Sequence, residues 1–107
     1  MKAIEKAIAH FQSIEARQLY IPEWDVTVYC KPCTLAQKAK WFTQANGDNY
    51  QLMLHAIVDG AIDEHGEKLF DASDRPKLNL VVGEVVERIG LFVLGTAGDS
   101  DEEREKN

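Results

Sequence analysis

Residues 17–31 alternate in the manner of a β-hairpin, within a chain whose other periodic segments are helical. In the second predicted strand of this hairpin, Val26, Val28 and Cys30 fall on one face, and polar or aromatic residues fall on the other. Residues 18–21 alternate as well, and the Pro-Glu-Trp-Asp sequence at 22–25 suits a turn between the two halves. A lone hairpin is only marginally stable in water. This one must therefore pack on helices or on a strand of another chain.

Three helices are predicted with well-marked boundaries. Thr34 and Gln37 have the spacing of a capping box and begin one helix, with Leu35, Ala39 and Phe42 on one face and Asn46-Gly47 at its end. Asp48 can cap the next helix, which carries a broad apolar face over residues 50–62. Before the hairpin, residues 2–13 form an amphipathic helix with the apolar stripe Ile4, Ala7, Ile8, Phe11 and Ile14.

The last third of the chain is predicted to form a turn, a short extended piece and one long helix. The turn occupies residues 63–66 and the extended piece residues 68–70. The helix begins at Ser73 or Asp74, because Pro76 is tolerated in a first helical turn. Residues 78–82 also have strand composition. The apolar face of this helix is Leu78, Val82, Val85, Ile89 and either Phe92 or Val93.

Together these segments predict an α+β, mainly helical fold: an N-terminal helix, a β-hairpin, about three packed helices and a disordered acidic C-terminal tail. The 107 residues fit a single domain, expected at residues 1–95, followed by a flexible tail at 96–107. The net charge of −6 argues against nucleic-acid binding, which needs clustered Lys and Arg. No apolar run approaches the ~20 residues of a membrane helix, and no signal-peptide pattern is present. A cytosolic protein without membrane or nucleic-acid partners is therefore expected.

Cys30-Lys31-Pro32-Cys33 is the segment that most resembles a chemical site. Its C-x-x-C spacing is that of thioredoxin-type redox sites, although those belong to a fold of parallel strands joined by helices. The alternative is structural, with one half-buried small side chain and one residue flanking a helix. A thiol-redox or metal-binding protein using Cys30 and Cys33 thus stays open as a second hypothesis. A metal site would need further ligands, and the three histidines are scattered.

Other signs of catalysis are weak. The acids Asp59, Asp63, Glu64 and Glu67 are accounted for by a polar surface turn, and acid–base work would require a shaped cleft. No nucleophile elbow, phosphate-binding loop or dinucleotide fingerprint occurs. We therefore predict a protein that is not an enzyme, with no cofactor and no metal.

Two apolar features point instead to protein partners. Trp24 lies at the predicted hairpin turn, where it can either anchor an interface or fold back over the hairpin. Residues 89–94 are apolar on every side, so the side away from the core needs a second partner. The residues expected to bind partners or mediate self-association are Tyr20, Ile21, Trp24, Leu91, Phe92 and Leu94.

The order of these segments resembles the tail assembly chaperones of long-tailed (siphovirus-type) bacteriophages. The resemblance begins with the Pro-Glu-Trp turn at 22–24, Val26 and Val28, continues through Lys31-Pro32 and Thr34-Leu35-Ala36, and covers residues 19–95. The later half matches through Val58-Asp59, the turn at 63–66, the extended piece at 68–70 and a long helix to Leu94-Gly95. Cys30 and Cys33 depart from the family, which usually has aliphatic residues there.

This resemblance implies a function that composition and spacing do not. Members of the family bind the long, hydrophobic tape-measure protein in the host bacterial cytoplasm, keep it soluble and help to recruit tail-tube subunits. The implied partners are therefore the tape-measure protein, the tail-tube protein and further copies of this chain. A longer form made by ribosomal frameshifting is common in the family, and an acidic tail after Gly95 would suit such a joint.

Overall fold

A computed structural model describes residues 2–95 as five α-helices and one antiparallel hairpin, which confirms the predicted α+β, mainly helical fold. The predicted acidic tail at 96–107 lies outside the described residues, and the assignment of residues 1–95 to one domain stays a prediction. The elements are α1 (Ala3–Ser13), β1 (Arg17–Ile21), β2 (Val26–Cys30), α2 (Leu35–Ala45), α3 (Asn49–Gly60), α4 (Arg75–Leu78) and α5 (Gly83–Leu94). A 3₁₀ turn at Ala72–Asp74 precedes α4.

The hairpin has the predicted strands, turn and faces. Its strands pair from Arg17 opposite Cys30 to Ile21 opposite Val26, with the turn at residues 22–25. Alternation buries Ile21, Val28 and Cys30 on one side. The outer edge of β2 is covered in turn, because the backbone amide and carbonyl of Tyr29 each bond to Ile62 at 2.8 Å. Among the described residues, β1 is therefore the outer strand of this small sheet.

Local hydrogen bonds set both ends of α2 and the start of α3 as predicted. The Thr34 hydroxyl accepts from the Gln37 amide at 3.1 Å, and the Gln37 side chain accepts from the Thr34 amide at 2.8 Å. Asn46 ends α2 in the left-handed region, at φ 52°. The Asp48 carboxylate then caps α3 by accepting from the Tyr50 and Gln51 amides.

Helix α5 packs along α3 and against both strands, and it supplies much of the core. Ile89 and Val93 are fully buried. Arg17 of β1 joins the hairpin to the end of α5: its Nη2 donates to the Phe92 carbonyl at 3.0 Å, and its guanidinium lies 4.8 Å from the centre of the Phe92 ring. The apolar face of the hairpin, which two strands cannot bury by themselves, is thus covered by this helix.

The prediction of one long helix from residue 73 onwards is wrong. Helix α4 ends at Leu78, and α5 begins only at Gly83. Val82 between them has an extended ψ of 114°, and Leu80, Val81 and Val82 are exposed. The helical spacing of apolar residues runs through this break. The β-branched residues in it lower helix propensity, and no helix face there is buried against the core.

Close approach of α3 and α5 requires glycine at two positions. A Cβ added at Gly60 would lie 2.6 Å from Val93 Cγ1, and one added at Gly90 would lie 2.8 Å from Met53 Cβ. Both separations are shorter than the ~3.5–4.0 Å at which carbon atoms attract. The glycines therefore fix how closely these two helices can pack.

We expect Gly60→Ala to lower the free energy of unfolding by about 1–3 kcal/mol, because the added methyl group overpacks a closed core and the β-branched Val93 has few alternative rotamers. Gly83→Ala is the matched control, since a Cβ at Gly83 meets nothing within 4 Å. That change should be neutral or stabilise α5 by up to about 1 kcal/mol. Urea unfolding followed by circular dichroism measures both. An equal loss in the two variants would contradict this account of the helix contact.

Candidate protein-binding surface

Exposed large apolar side chains occur in groups of two or three at three places on the described chain. The α1 stripe consists of Ile4, Ile8 and Phe11, and α1 buries no residue at all. The α2 outer face carries Leu35 and Phe42, because α2 packs on the core through Trp41 and Ala45 instead. The third place is the 80–82 segment, formed by Leu80, Val81 and Val82 between α4 and α5. Clusters of exposed apolar residues are unusual on a monomer and mark interaction surfaces.

The 80–82 segment borders two adjacent cavities, which share Leu78 and Val81 in their linings and are together called the Val81 groove below. The cavity on the α5 side has a volume of about 120 Å³, and the one on the hairpin side about 390 Å³. The first is lined by Tyr50, Met53, Leu54, Leu78, Asn79, Val81, Gly83, Val86 and Glu87. The second is lined by Trp24, Leu69, Phe70, Asp74, Lys77, Leu78 and Val81.

Trp24 forms one wall of the Val81 groove. It is half-buried and packs against the core cluster, so it does fold back toward the domain while keeping part of its surface open. The neighbouring Glu23 fixes the hairpin turn to α5 through two hydrogen bonds from Arg88, at 2.8 and 2.9 Å. These bonds lower the pKa of Glu23 to about 2, so the ion pair persists above that pH. The Trp24 wall is thereby held in place.

The other residues predicted to bind partners occupy different environments. Tyr20 is exposed, and its hydroxyl donates to Asp25 at 2.8 Å, which raises the pKa of Tyr20. Leu91 is exposed at 41%, whereas Leu94 is half-buried and packs against the core. Ile21 and Phe92 belong to the core, at 0% and 5% exposure, so a partner could reach them only after rearrangement. The apolar run at 89–94 is thus largely covered by the chain itself.

The acids around the central turn have structural roles in the described residues. Asp59 accepts from the Trp41 indole at 2.7 Å and lies 3.6 Å from the ammonium groups of Lys40 and Lys68. Burial acts to raise the pKa of Asp59, but these three partners outweigh it and the pKa is lowered. Asp63 accepts from backbone amides within its own turn.

Cys30 and Cys33 lie side by side at the end of β2, in a setting unlike a thioredoxin-type site. The described residues contain no pair of parallel strands, and it is the first cysteine that is buried. Within residues 2–95, no group of three or more Cys, His, Asp and Glu side chains could hold a metal ion. None of the helices described is both long and apolar enough to cross a membrane.

The Val81 groove is the feature that sequence reasoning missed. Only its Trp24 wall was predicted as a binding residue. The remaining lining comes from segments between residues 50 and 87, which the fold brings together. One local signal was available: residues 80–82 are apolar and strand-like within a predicted helix, and such a conflict suggests that they do not lie in a regular buried face.

Comparison with known proteins gives a likeness of structure. No protein-family model matches the chain, and no curated protein gives a significant sequence match. A solved structure described as the bacteriophage HK97 tail assembly chaperone is similar, with a TM-score of 0.60 and 14% sequence identity. The alignment covers 88% of this chain and 96% of that chain. The chain therefore has a fold similar to that of a phage tail assembly chaperone, as the sequence resemblance implied.

The floor and the rim of the Val81 groove should respond differently to mutation. Leu78→Ala removes a side chain that is only 7% exposed, and we expect a loss of about 2–5 kcal/mol in unfolding free energy. Val81→Asp changes a side chain that is 47% exposed, and its effect should stay within about 0.5 kcal/mol. Urea unfolding measures both. A large loss from Val81→Asp would mean that this residue is part of the core and not an accessible rim.

Proposed function

We propose that this protein is a phage tail assembly chaperone, which binds apolar segments of the tape-measure protein and helps to recruit tail-tube subunits during tail assembly. It acts by non-covalent binding, without catalysis, in the cytoplasm of the host bacterium. The observation that carries the proposal is the similarity of fold to a tail assembly chaperone, at 88% coverage of this chain. The exposed apolar surfaces supply the physical means.

The Val81 groove suits an apolar client. Its lining is mostly apolar, with aromatic side chains from Trp24, Tyr50 and Phe70 that offer large contact areas for little loss of conformational entropy. A helical client segment could place apolar side chains spaced three and four residues apart into the two adjacent cavities. The exposed 80–82 segment at the rim would add contact area, and its burial would contribute favourable free energy.

Charge supports the same role. The net charge of −6 disfavours binding to nucleic acids in an infected cell and opposes aggregation of a complex that carries an apolar client. The rim of the groove carries both signs, with Asp74 and Lys77 in one cavity and Glu87 in the other. Discrimination between clients would therefore come from apolar contacts and shape more than from charge.

Self-association is the second part of the proposal, and we assign it to the α1 stripe. Helix α1 is amphipathic but buries none of its apolar side chains in the described chain. An isolated helix of 11 residues is marginal in water, so packing of the stripe against another copy would stabilise it. Several copies along one tape-measure protein would bind with the avidity that linked sites provide.

The function is tested by co-expressing the chain with the tape-measure protein of the phage that encodes it. The wild type should keep the tape-measure protein in the supernatant and co-purify with it. Val81→Asp should lower the recovered tape-measure protein at least ten-fold, because a charge in the groove must be desolvated against an apolar client. Leu35→Asp is the matched control, since it adds the same charge at an exposed apolar site outside the groove.

Two results would overturn these assignments. Failure of the wild-type chain to keep the tape-measure protein soluble would contradict the chaperone function itself. Loss with Leu35→Asp but not with Val81→Asp would keep the function and move the binding surface to α2. Circular dichroism of each variant shows that the compared proteins are equally folded.

Self-association is tested separately by light scattering over a range of concentrations. The wild type should be oligomeric, and Ile8→Asp should shift it to the monomer, because Ile8 lies in the α1 stripe. Ala9→Asp is the control, as it places the same charge one position along the exposed helix and away from the stripe. A monomeric wild type, or equal dissociation by both changes, would contradict assembly through the stripe.

A further inference from the structure

Both sulfurs of the C-x-x-C segment lie within 4 Å of one backbone oxygen. Cys33 Sγ lies 3.2 Å from the Val93 carbonyl oxygen at the end of α5, and Cys30 Sγ lies 3.8 Å from the same atom and 3.1 Å from the Lys31 carbonyl oxygen. Neither cysteine is in a disulfide. The two side chains are three residues apart and lie within hydrogen-bond reach of each other, which is the kind of approach that a disulfide requires.

The two thiols differ in access to solvent. Cys30 is 1% exposed. Cys33 is half-buried and lines an open groove of about 310 Å³, whose other lining residues include Phe11, Lys31 and Gln37. A small reagent can therefore reach Cys33 from the groove, while Cys30 lies behind it. This order of access is that of an attacking thiol with a second thiol placed to resolve the product.

The surroundings also favour reaction at Cys33. A hydrogen bond from the Cys30 thiol, together with the positive charges of Lys38 and Arg17, outweighs burial and lowers the pKa of Cys33 to about 7. The hydrogen bond to Cys33 and burial raise the pKa of Cys30, which keeps it protonated until Cys33 has reacted.

We propose that Cys30 and Cys33 form a reversible oxidation site, which a low-molecular-weight disulfide of the glutathione class converts into an intramolecular disulfide. The inference concerns a site separate from the Val81 groove and does not depend on the chaperone function. It also differs from a thioredoxin-type enzyme, since the chain is the substrate of the oxidation. Oxidation removes the Cys33 S–H donor, whose sulfur lies 3.2 Å from the Val93 carbonyl oxygen, and so loosens the contact between the hairpin and the last turn of α5.

The reaction proceeds in two exchanges. The Cys33 thiolate attacks one sulfur of R–S–S–R, forming a Cys33–S–S–R mixed disulfide and releasing one thiolate, which takes up a proton. The Cys30 thiol then loses its proton and attacks Cys33 Sγ, and the bond between Cys33 and the second R–S group breaks. That group leaves as R–SH after taking up a proton. The two cysteines lose two electrons, and one R–S–S–R is reduced to two R–SH.

Oxidised glutathione is the probe, and intact-mass and peptide mass spectrometry after acid quenching are the measurements. The wild-type chain should lose two hydrogens, contain no thiol that reacts with maleimide after unfolding, and yield a peptide joining Cys30 to Cys33. Cys30→Ala should stop at one glutathione on Cys33, because no resolving thiol is present. Cys33→Ala should remain unmodified while folded, because Cys30 is buried.

A wild-type chain that retains glutathione on Cys33, keeps both thiols, or forms only disulfides between chains would overturn the proposal. So would modification of folded Cys33→Ala at the wild-type rate. If either alanine variant fails to fold, the disulfide between Cys30 and Cys33 in the wild-type peptide is sufficient to test the proposal. Dithiothreitol added to the oxidised wild type should restore both thiols.

Discussion

Contact between α3 and α5 is the interaction on which the rest of the structure depends. Gly60 and Gly90 let the two helices approach until the side chains of Val93 and Met53 fill the space where a methyl group would stand. With α5 at this distance, its other side meets the hairpin, where Ile21 and Val28 need cover. A two-stranded hairpin cannot stabilise itself in water. The helix contact therefore allows so small a sheet to exist within this chain.

The same contact between α3 and α5 determines which apolar residues stay exposed to solvent. Helix α5 must start close to α3 to keep the packing, so the chain leaves α4 through a turn and a bend at residues 79–82 instead of continuing the helix. This path exposes Leu80, Val81 and Val82 and opens the groove between them, the hairpin turn and α3. The proposed client surface is thus a consequence of how the core is closed. At the other end of α5, the Val93 carbonyl meets the two thiols of the proposed oxidation site.

Sequence reasoning succeeded where the determining interactions are local. The hairpin turn, the Thr34–Gln37 capping box, the Asp48 cap and the left-handed Asn46 all depend on residues within four positions of one another. Such interactions leave a readable pattern in the sequence.

Sequence reasoning failed where tertiary packing determines which residues are buried and where a helix is interrupted. Periodicity placed Leu35 and Phe42 on one face of α2, but it could not show that Trp41 would take the buried position, with its indole bonded to Asp59 in α3. It likewise extended the last helix across residues 79–82, because the apolar spacing continues there. The Val81 groove combines residues from position 24 to position 87, and no short pattern contains it.

Site-specific photocrosslinking tests whether a tape-measure protein is held in the Val81 groove, as proposed. A photoreactive amino acid placed at position 81, in a chain co-expressed with the tape-measure protein, should yield a crosslinked product of the two. The same amino acid at position 35, on the α2 outer face, should yield little or none. Crosslinking from position 35 and not from 81, or from neither position, would show that the tape-measure protein is not held in the Val81 groove.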